Sequence, residues 1–140
     1  MADAGPSVSL WTHPTVLKVA PRAAGTKGVG LFATAPIAKG EVISCDCTIP
    51  LDAAEVKAVT PTLIDQYYFA HPGGDDLGLV VLGLASLCNH ADEPTAHTAT
   101  ERDPALGWLV ILTATRDIAA GEEITRRYAC QLWFKPEARQ

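Results

Sequence analysis

Aromatic residues are scarce in this chain, at 6% of 140 residues, and no apolar run approaches the length of a membrane span. The run over 77–88 is short, is broken by Gly78 and Gly83, and ends against Asn89-His90. The first residues, Met-Ala-Asp-Ala-Gly-Pro, lack the charged and apolar regions of a signal peptide. A soluble, intracellular and cytoplasmic protein with no membrane partner is therefore expected. Basic charge is also in deficit: 11 Lys and Arg stand against 16 Asp and Glu, for a net charge of −5 and a pI near 5.2. That balance argues against direct nucleic-acid binding and suits a basic peptide partner. Cysteines number four. Cys45 and Cys47 lie one residue apart on an expected strand, so their side chains share a face and a disulfide between them would be strained. No C-x-x-C occurs, and zinc would need a ligand from far along the chain, so free buried thiols and no metal site are expected.

What is present is a motif written twice. Residues 33–44 read Ala-Thr-Ala-Pro-Ile-Ala-Lys-Gly-Glu-Val-Ile-Ser and 114–125 read Ala-Thr-Arg-Asp-Ile-Ala-Ala-Gly-Glu-Glu-Ile-Thr. In each copy a strand-like run meets a tight turn at Gly40 or Gly121, where φ > 0 is useful, and leaves as another strand. Each copy therefore reads as a hairpin corner, with Glu122 a solvated turn residue or, since it repeats Glu41, one that holds the corner by a local hydrogen bond. Glu123 reads as a solvated turn residue, and Arg126 and Arg127 as a charged strand face. The length suits a single domain over 1–140, with a core at about 15–134 and loosely held ends.

Most of the chain predicts strands: 15–20, 29–34, 41–48, 77–82, 106–115 and 124–128. Between the two corners, Leu51-Asp52-Ala53-Ala54-Glu55-Val56 predicts a helix with a capping box, Asp52 to Glu55. A second helix is expected from Thr60-Pro61, with Thr60 as cap, through Tyr67 and Tyr68. The segment His71-Pro72-Gly73-Gly74-Asp75-Asp76 stops it, and 83–88 is a short helical turn. Several small sheets folding around each other cover strands this short most economically.

Individually, the residues suited to chemistry are weak signals. Gly28-Val29-Gly30 places two glycines where backbone must turn or be approached closely, but lacks the third glycine of a dinucleotide fingerprint and the pattern of a phosphate loop. Asn89 offers a donor and an acceptor beside His90. Tyr128 ends the strand that leaves the second corner. His13, His71 and His97 read as surface residues, and Asp75, Asp76, Asp92 and Glu93 as an acidic rim.

Their order is more specific. G-x-G-L-F-A, I-x-x-G-E-x-I, a helix bearing D-x-Y-x-F, N-H-x-x-x-P and R-D-I-x-x-G-E-E-I-x-x-x-Y follow one another as in SET domains, which this chain resembles along 18–133. The compact stand-alone SET proteins of viruses and bacteria are the most similar. The resemblance implies a mostly β, β-clip fold of several small sheets with a short helical insertion. It also implies a knot-like threading of 89–94 through a loop closed by the C-terminal segment, bringing Asn89-His90 beside Tyr128. The implied activity is transfer of methyl from S-adenosylmethionine to the ε-amine of a protein lysine, leaving S-adenosylhomocysteine.

By that resemblance Gly28, Val29, Gly30 and Leu31 are cofactor-binding, the glycine loop through its backbone with Leu31 behind it. Asn89 and His90 hold the amino acid and adenine portions, His90 through its main chain, and Trp133 covers the adenine. Tyr128 is the catalytic tyrosine and Tyr67 the aromatic of the lysine channel. The implied partner is a basic protein or peptide, a histone-like tail and a ribosomal protein fitting equally, and a homodimer is compatible with so small a member. The sequence departs from the family pattern at Ala91 and Thr95, which remove polar contacts near the threaded segment, at Val29, where relatives carry an aromatic, and at Leu132, where compact relatives have a second tyrosine. Those departures keep two rivals open: a cofactor-binding SET protein that acts on a small molecule or without catalysis, and a cofactor-free interaction module.

Overall fold

Residues 17–128 are described by the structure, a computed structural model, and short strands with abrupt turns dominate them. In chain order these are β1 (Val19–Ala23), β2 (Val29–Ala33), β3 (Val42–Leu51), helix α1 (Ala53–Val59), β4 (Phe69–His71) and β5 (Gly74–Leu82). Then come β6 (Asn89–His90), β7 (Ala96–Asp103), β8 (Gly107–Ala114) and β9 (Glu123–Arg126). Single 3-10 turns at Gly25–Lys27, Leu63–Gln66 and Leu84–Leu87 connect them. Two sheets result, one ordered β1-β2-β9-β6 and the other β4-β5-β3-β8-β7. Neighbours are antiparallel except β6 and β9, which run parallel.

Burial explains the register. Leu109, Val110, Ile111 and Leu112 of β8 are all buried, as expected of a central strand covered on both faces. Leu31, Leu79, Leu112, Ile118 and Ile124 are wholly buried and join both sheets in one core. Burying one such side chain contributes roughly 1.5–3 kcal/mol.

The capping box of α1 forms as expected: Glu55 N donates to Asp52 Oδ1 at 2.8 Å and Asp52 N to Glu55 Oε1 at 3.0 Å. The second helix does not. Thr60 ends α1, its hydroxyl donating to the Val56 carbonyl at 2.8 Å, and Thr62 caps a single 3-10 turn instead. Extended backbone at Thr62 breaks the continuity that a Thr60 cap requires. The stretch read as a helix stop is also different: Phe69–His71 and Gly74–Leu82 pair as a hairpin across Pro72-Gly73. Strand β7 was not expected, because only Ala96 and Ala99 interrupt its polar residues. Full-length pairing with β8 supplies what its composition lacks, and Asp103 Oδ1 closes the turn by accepting from Ala105 N and Leu106 N at 2.8 and 2.9 Å.

The two motif copies are not separate hairpins. The strands flanking each corner belong to different sheets, and the corners pair with each other. Ile37 and Ile118 exchange both backbone hydrogen bonds, at 2.9 and 2.8 Å. Gly40 N donates to Ala114 O and Gly121 N to Ala33 O, both at 2.8 Å, an approximate two-fold arrangement. Within each copy the glutamate accepts from the corner backbone, Glu41 from Ala38 N at 3.0 Å and Glu122 from Ala119 N at 2.8 Å. The Arg116 guanidinium, with that Ala119 N–H, holds the Glu122 carboxyl down at about 2. The hydrogen-bonding pattern of a hairpin is thus satisfied between copies instead of within one.

Candidate active site

Gly28 has φ +84°, a conformation side-chain residues rarely adopt, and it turns the chain from the Gly25–Lys27 helical turn into β2. Across from it the Leu84–Leu87 turn leads to Cys88 and β6. Asp46 anchors that turn: its buried carboxylate accepts from Ala85 N at 2.9 Å, and a side chain at Gly83 would collide with it. Burial pushes the Asp46 carboxyl up, against the lowering effect of the backbone N–H groups of Ala85 and Leu84 and the Ser44 hydroxyl.

Between these two turns lies a cleft of about 430 Å³, lined by Thr26, Lys27, Gly28, Val29, Tyr67, Ser86, Leu87, Cys88, Asn89, His90 and Tyr128. Six residues singled out from sequence, Gly28, Val29, Tyr67, Asn89, His90 and Tyr128, therefore share one wall system. Gly30 lies directly behind it: a Cβ there would sit 2.7 Å from Glu123 Oε2 and 2.9 Å from Asn89 Nδ2. Leu31 is wholly buried in the core and does not line the cleft. Trp133, Leu132, Cys130 and His13 lie outside the described residues.

The parallel pairing of β6 with β9 brings Asn89-His90 beside Tyr128. His90 Nδ1 accepts from Tyr128 N at 3.1 Å, which places the imidazole proton on Nε2, facing Asp92 Oδ1 at 3.1 Å. The His90 and Tyr128 rings meet edge to face at 5.2 Å. The Tyr128 hydroxyl lies 3.4 Å from the Cys88 carbonyl. Burial pushes the neighbouring Cys88 thiol up to about 12, so it lines the cleft as an apolar, protonated group.

A second cleft, of about 460 Å³, also has Tyr128 in its wall, together with Tyr68, Phe69, Arg126, Asp65 and Asp75. Tyr67 does not reach it. Tyr67 caps the Leu63–Gln66 turn while the chain straightens into β4, so Tyr67 and Tyr68 serve different clefts. Tyr68 packs on Gly78, where a Cβ would come within 2.7 Å of its ring.

Three readings from sequence are corrected here. Glu123 is no solvated turn residue: its side chain is 16% exposed and holds Lys27 Nζ at 2.6 Å and Asn89 Nδ2 at 2.7 Å. Arg126 is buried, with its guanidinium 3.9 Å from the Phe69 ring centre and 4.4 Å from that of Tyr128. Alternation along β9 places it on the same side as the buried Ile124, the signal that a charged-face reading overlooks. His71 is no lone surface residue, since Nδ1 accepts from Gly73 N at 2.8 Å and the ring packs edge to face on Trp108 at 5.3 Å. The acidic rim is divided: Asp75 lines the second cleft, whereas Asp92 faces His90. Cys45 and Cys47 are half-buried free thiols, and burial pushes Cys45 up to about 11. Among the described residues no group of three or more His, Cys, Asp or Glu is placed to hold a metal, and no helix is long and apolar enough to cross a membrane.

Two curled sheets with a parallel strand pair beside the site define the architecture, and comparison places it. A family model of the SET domain matches residues 28–129. The chain belongs to the SET domain family, whose methyltransferases use S-adenosylmethionine. Among solved structures, a Plasmodium falciparum candidate histone methyltransferase superposes with a TM-score of 0.70 at 23% identity, over 86% of this chain and all (100%) of that one. The ctPRC2 complex, in an autoinhibited conformation bound to S-adenosylmethionine, superposes with a TM-score of 0.68 at 21% identity, over 82% of this chain but 15% of that one. At these identities the likeness is one of fold. Comparison with curated proteins returns no match.

The residues of the first cleft suit that cofactor chemically. Among the described residues no donor reaches Asn89 Oδ1, which offers an acceptor to an ammonium, Lys27 offers a cation to a carboxylate, and Val29 and Leu87 offer apolar wall.

Proposed function

We propose that this chain is an S-adenosylmethionine-dependent protein-lysine N-methyltransferase acting on a basic protein or peptide. The observation that carries the reading is that two clefts share one tyrosine, Tyr128. A donor held by Gly28, Val29, Asn89 and His90 in the first would meet an acceptor arriving through the second at the Tyr128 hydroxyl. When bound, the cofactor supplies a sulfonium-activated methyl group. The acceptor must supply a lone pair, and a lysine amine with pKa near 10.4 must first lose its proton, at a cost of about 4.6 kcal/mol at pH 7. The Arg126 guanidinium in the wall of the second cleft disfavours a second cation there, and the apolar faces of Phe69 and Tyr68 act in the same direction. Asp65 and Asp75 in the same cleft attract the ammonium before it gives up its proton. With the cofactor held by Gly28, Val29, Asn89 and His90, the aligned amine would take the methyl group through its lone pair, and the bonding pair of the C–S bond would stay on sulfur.

Tyr128 aligns the amine; it need not be a base. His90 fixes the Tyr128 backbone through Nδ1, and the Arg126 guanidinium lies over its ring, 4.4 Å from the centre. Alignment of this kind supplies a large share of a displacement rate. The test is calorimetric titration of S-adenosylmethionine followed by methyl transfer to basic peptides and proteins, with Tyr128→Phe and Asn89→Ala. The reading requires saturable binding that Asn89→Ala weakens, and transfer that Tyr128→Phe abolishes while binding persists. Binding without transfer to any basic acceptor favours a small-molecule substrate, and no binding at millimolar cofactor favours an interaction module.

A further inference from the structure

We propose that Glu123, the second glutamate of the G-E-E corner, is the positioning residue of the cofactor cleft, and that with Lys27 it sets recognition of the amino-acid end of the ligand. The inference rests on the cofactor reading above and assigns this end of the cleft its chemistry. Glu123 Oε2 accepts from Asn89 Nδ2 at 2.7 Å, and among the described residues the one other partner of that nitrogen is the Val29 carbonyl at 3.4 Å. A carboxylate and a carbonyl are both acceptors only, so the amide has one orientation: nitrogen toward Glu123, oxygen away from it. The amide oxygen is thereby kept as an acceptor for an α-ammonium. A flipped amide would present a donor to the same cation and repel it.

The other carboxylate oxygen, Oε1, holds Lys27 Nζ at 2.6 Å. Lys27 is itself a cleft residue on the turn before Gly28, and its ammonium has two further donors to offer an α-carboxylate. One half-buried carboxylate thus fixes both halves of a zwitterion receptor. Gly30 makes the arrangement sterically specific, because a Cβ there would press on both Glu123 Oε2 and Asn89 Nδ2.

The experiment compares two ligands that share the thio-nucleoside but differ in the amino-acid end: S-adenosylhomocysteine, and 5′-deoxy-5′-methylthioadenosine, which lacks it. Calorimetric affinities are measured for the wild type, Glu123→Gln and Lys27→Gln, with thermal melts of each. Glu123→Gln is isosteric but lets the Asn89 amide turn and releases Lys27. Loss of charge-assisted bonding predicts that S-adenosylhomocysteine weakens about tenfold or more while methylthioadenosine is unchanged. Lys27 is an exposed side chain whose replacement leaves the core untouched, so Lys27→Gln gives the same selective loss even where Glu123→Gln melts early. Equal weakening of both ligands, or no change in either, overturns the proposal and leaves Glu123 structural while the cofactor reading stands. A wild-type protein that binds neither ligand overturns the cofactor reading, and the assignment of Glu123 with it.

Discussion

Thr95 stands where the family commonly has asparagine, and the structure shows what replaces the missing amide. Thr95 is 5% exposed, and its hydroxyl donates to the Glu123 carbonyl at 3.1 Å while accepting from Thr125 N at 3.0 Å. Thr125 returns the contact, its hydroxyl accepting from Thr95 N at 3.1 Å. This reciprocal pair fastens the segment after His90 to β9, and so holds Asn89 against Glu123. Thr95→Val keeps the shape and removes the hydroxyl. It forfeits one hydrogen bond, about 1 kcal/mol net, and strands a buried N–H, which costs about 1–3 kcal/mol, for a total of roughly 2–4 kcal/mol. For a chain of this size that corresponds to a fall in Tm of about 10 °C. Thermal and urea unfolding of Thr95→Val and Thr95→Ser make the measurement, the serine restoring the hydroxyl and so most of the stability. A valine variant that melts within about 2 °C of wild type would falsify the claim that the hydroxyl pair is a main fastening of the site.

Gly30→Ala should weaken S-adenosylmethionine binding and lower the melting temperature, since the added methyl meets the bonded ends of Glu123 and Asn89 and the Cβ of Ala24, which has no rotamer to yield; a binding isotherm like that of wild type contradicts this. Arg126→Met should lower stability by about 2 kcal/mol by removing a desolvated cation from between two rings, and Arg126→Lys should not restore it because a compact ammonium cannot lie flat against both. Equal stability of the lysine variant and wild type in urea would refute the stacking argument. Cys88 ionises at about 12 in the folded protein against a usual value of 9.0. The unfolded chain releases that proton first, so this contribution to stability is complete below about pH 9 and is lost as pH rises through about 12, with a limiting slope of ~1.4 kcal/mol per pH unit. Urea melts at pH 8 and pH 10 should show a shallower alkaline loss for Cys88→Ala than for wild type, and identical slopes would exclude the effect.

Much of the site was legible in sequence because its members sit at element boundaries marked by turn chemistry. Gly28 follows a turn, Asn89-His90 follows a buried run, and Tyr128 follows the second corner. What was not legible depends on which residues oppose each other across strands distant in sequence. Glu123 looks like one of two turn carboxylates until the β6–β9 pairing sets it against Asn89. Arg126 looks solvated until Phe69 arrives from β4 to cover it. Strand β7 carries almost no apolar signal and exists through its partner, and the division of Tyr67 and Tyr68 between the first and second clefts turns on the direction the chain takes at one residue. The corners were found as a repeat but assigned to local hairpins, because a tight turn between two strands usually joins neighbours.

The pairing of the two corner motifs governs time as well as shape. Its bonds join backbone groups roughly 80 residues apart along the chain, so the intervening loop must close before any of them can form. Contacts of that kind form late and contribute little to the folding transition state, while their rupture is part of unfolding. Asp117→Ala, which removes the acceptor of Lys39 N at 2.8 Å within this clasp, therefore belongs on the unfolding limb of a chevron and leaves the refolding limb unmoved. A sequence that carries its closure twice over sets the lifetime of the folded state at the buckle where the copies meet, not the speed with which that state is reached.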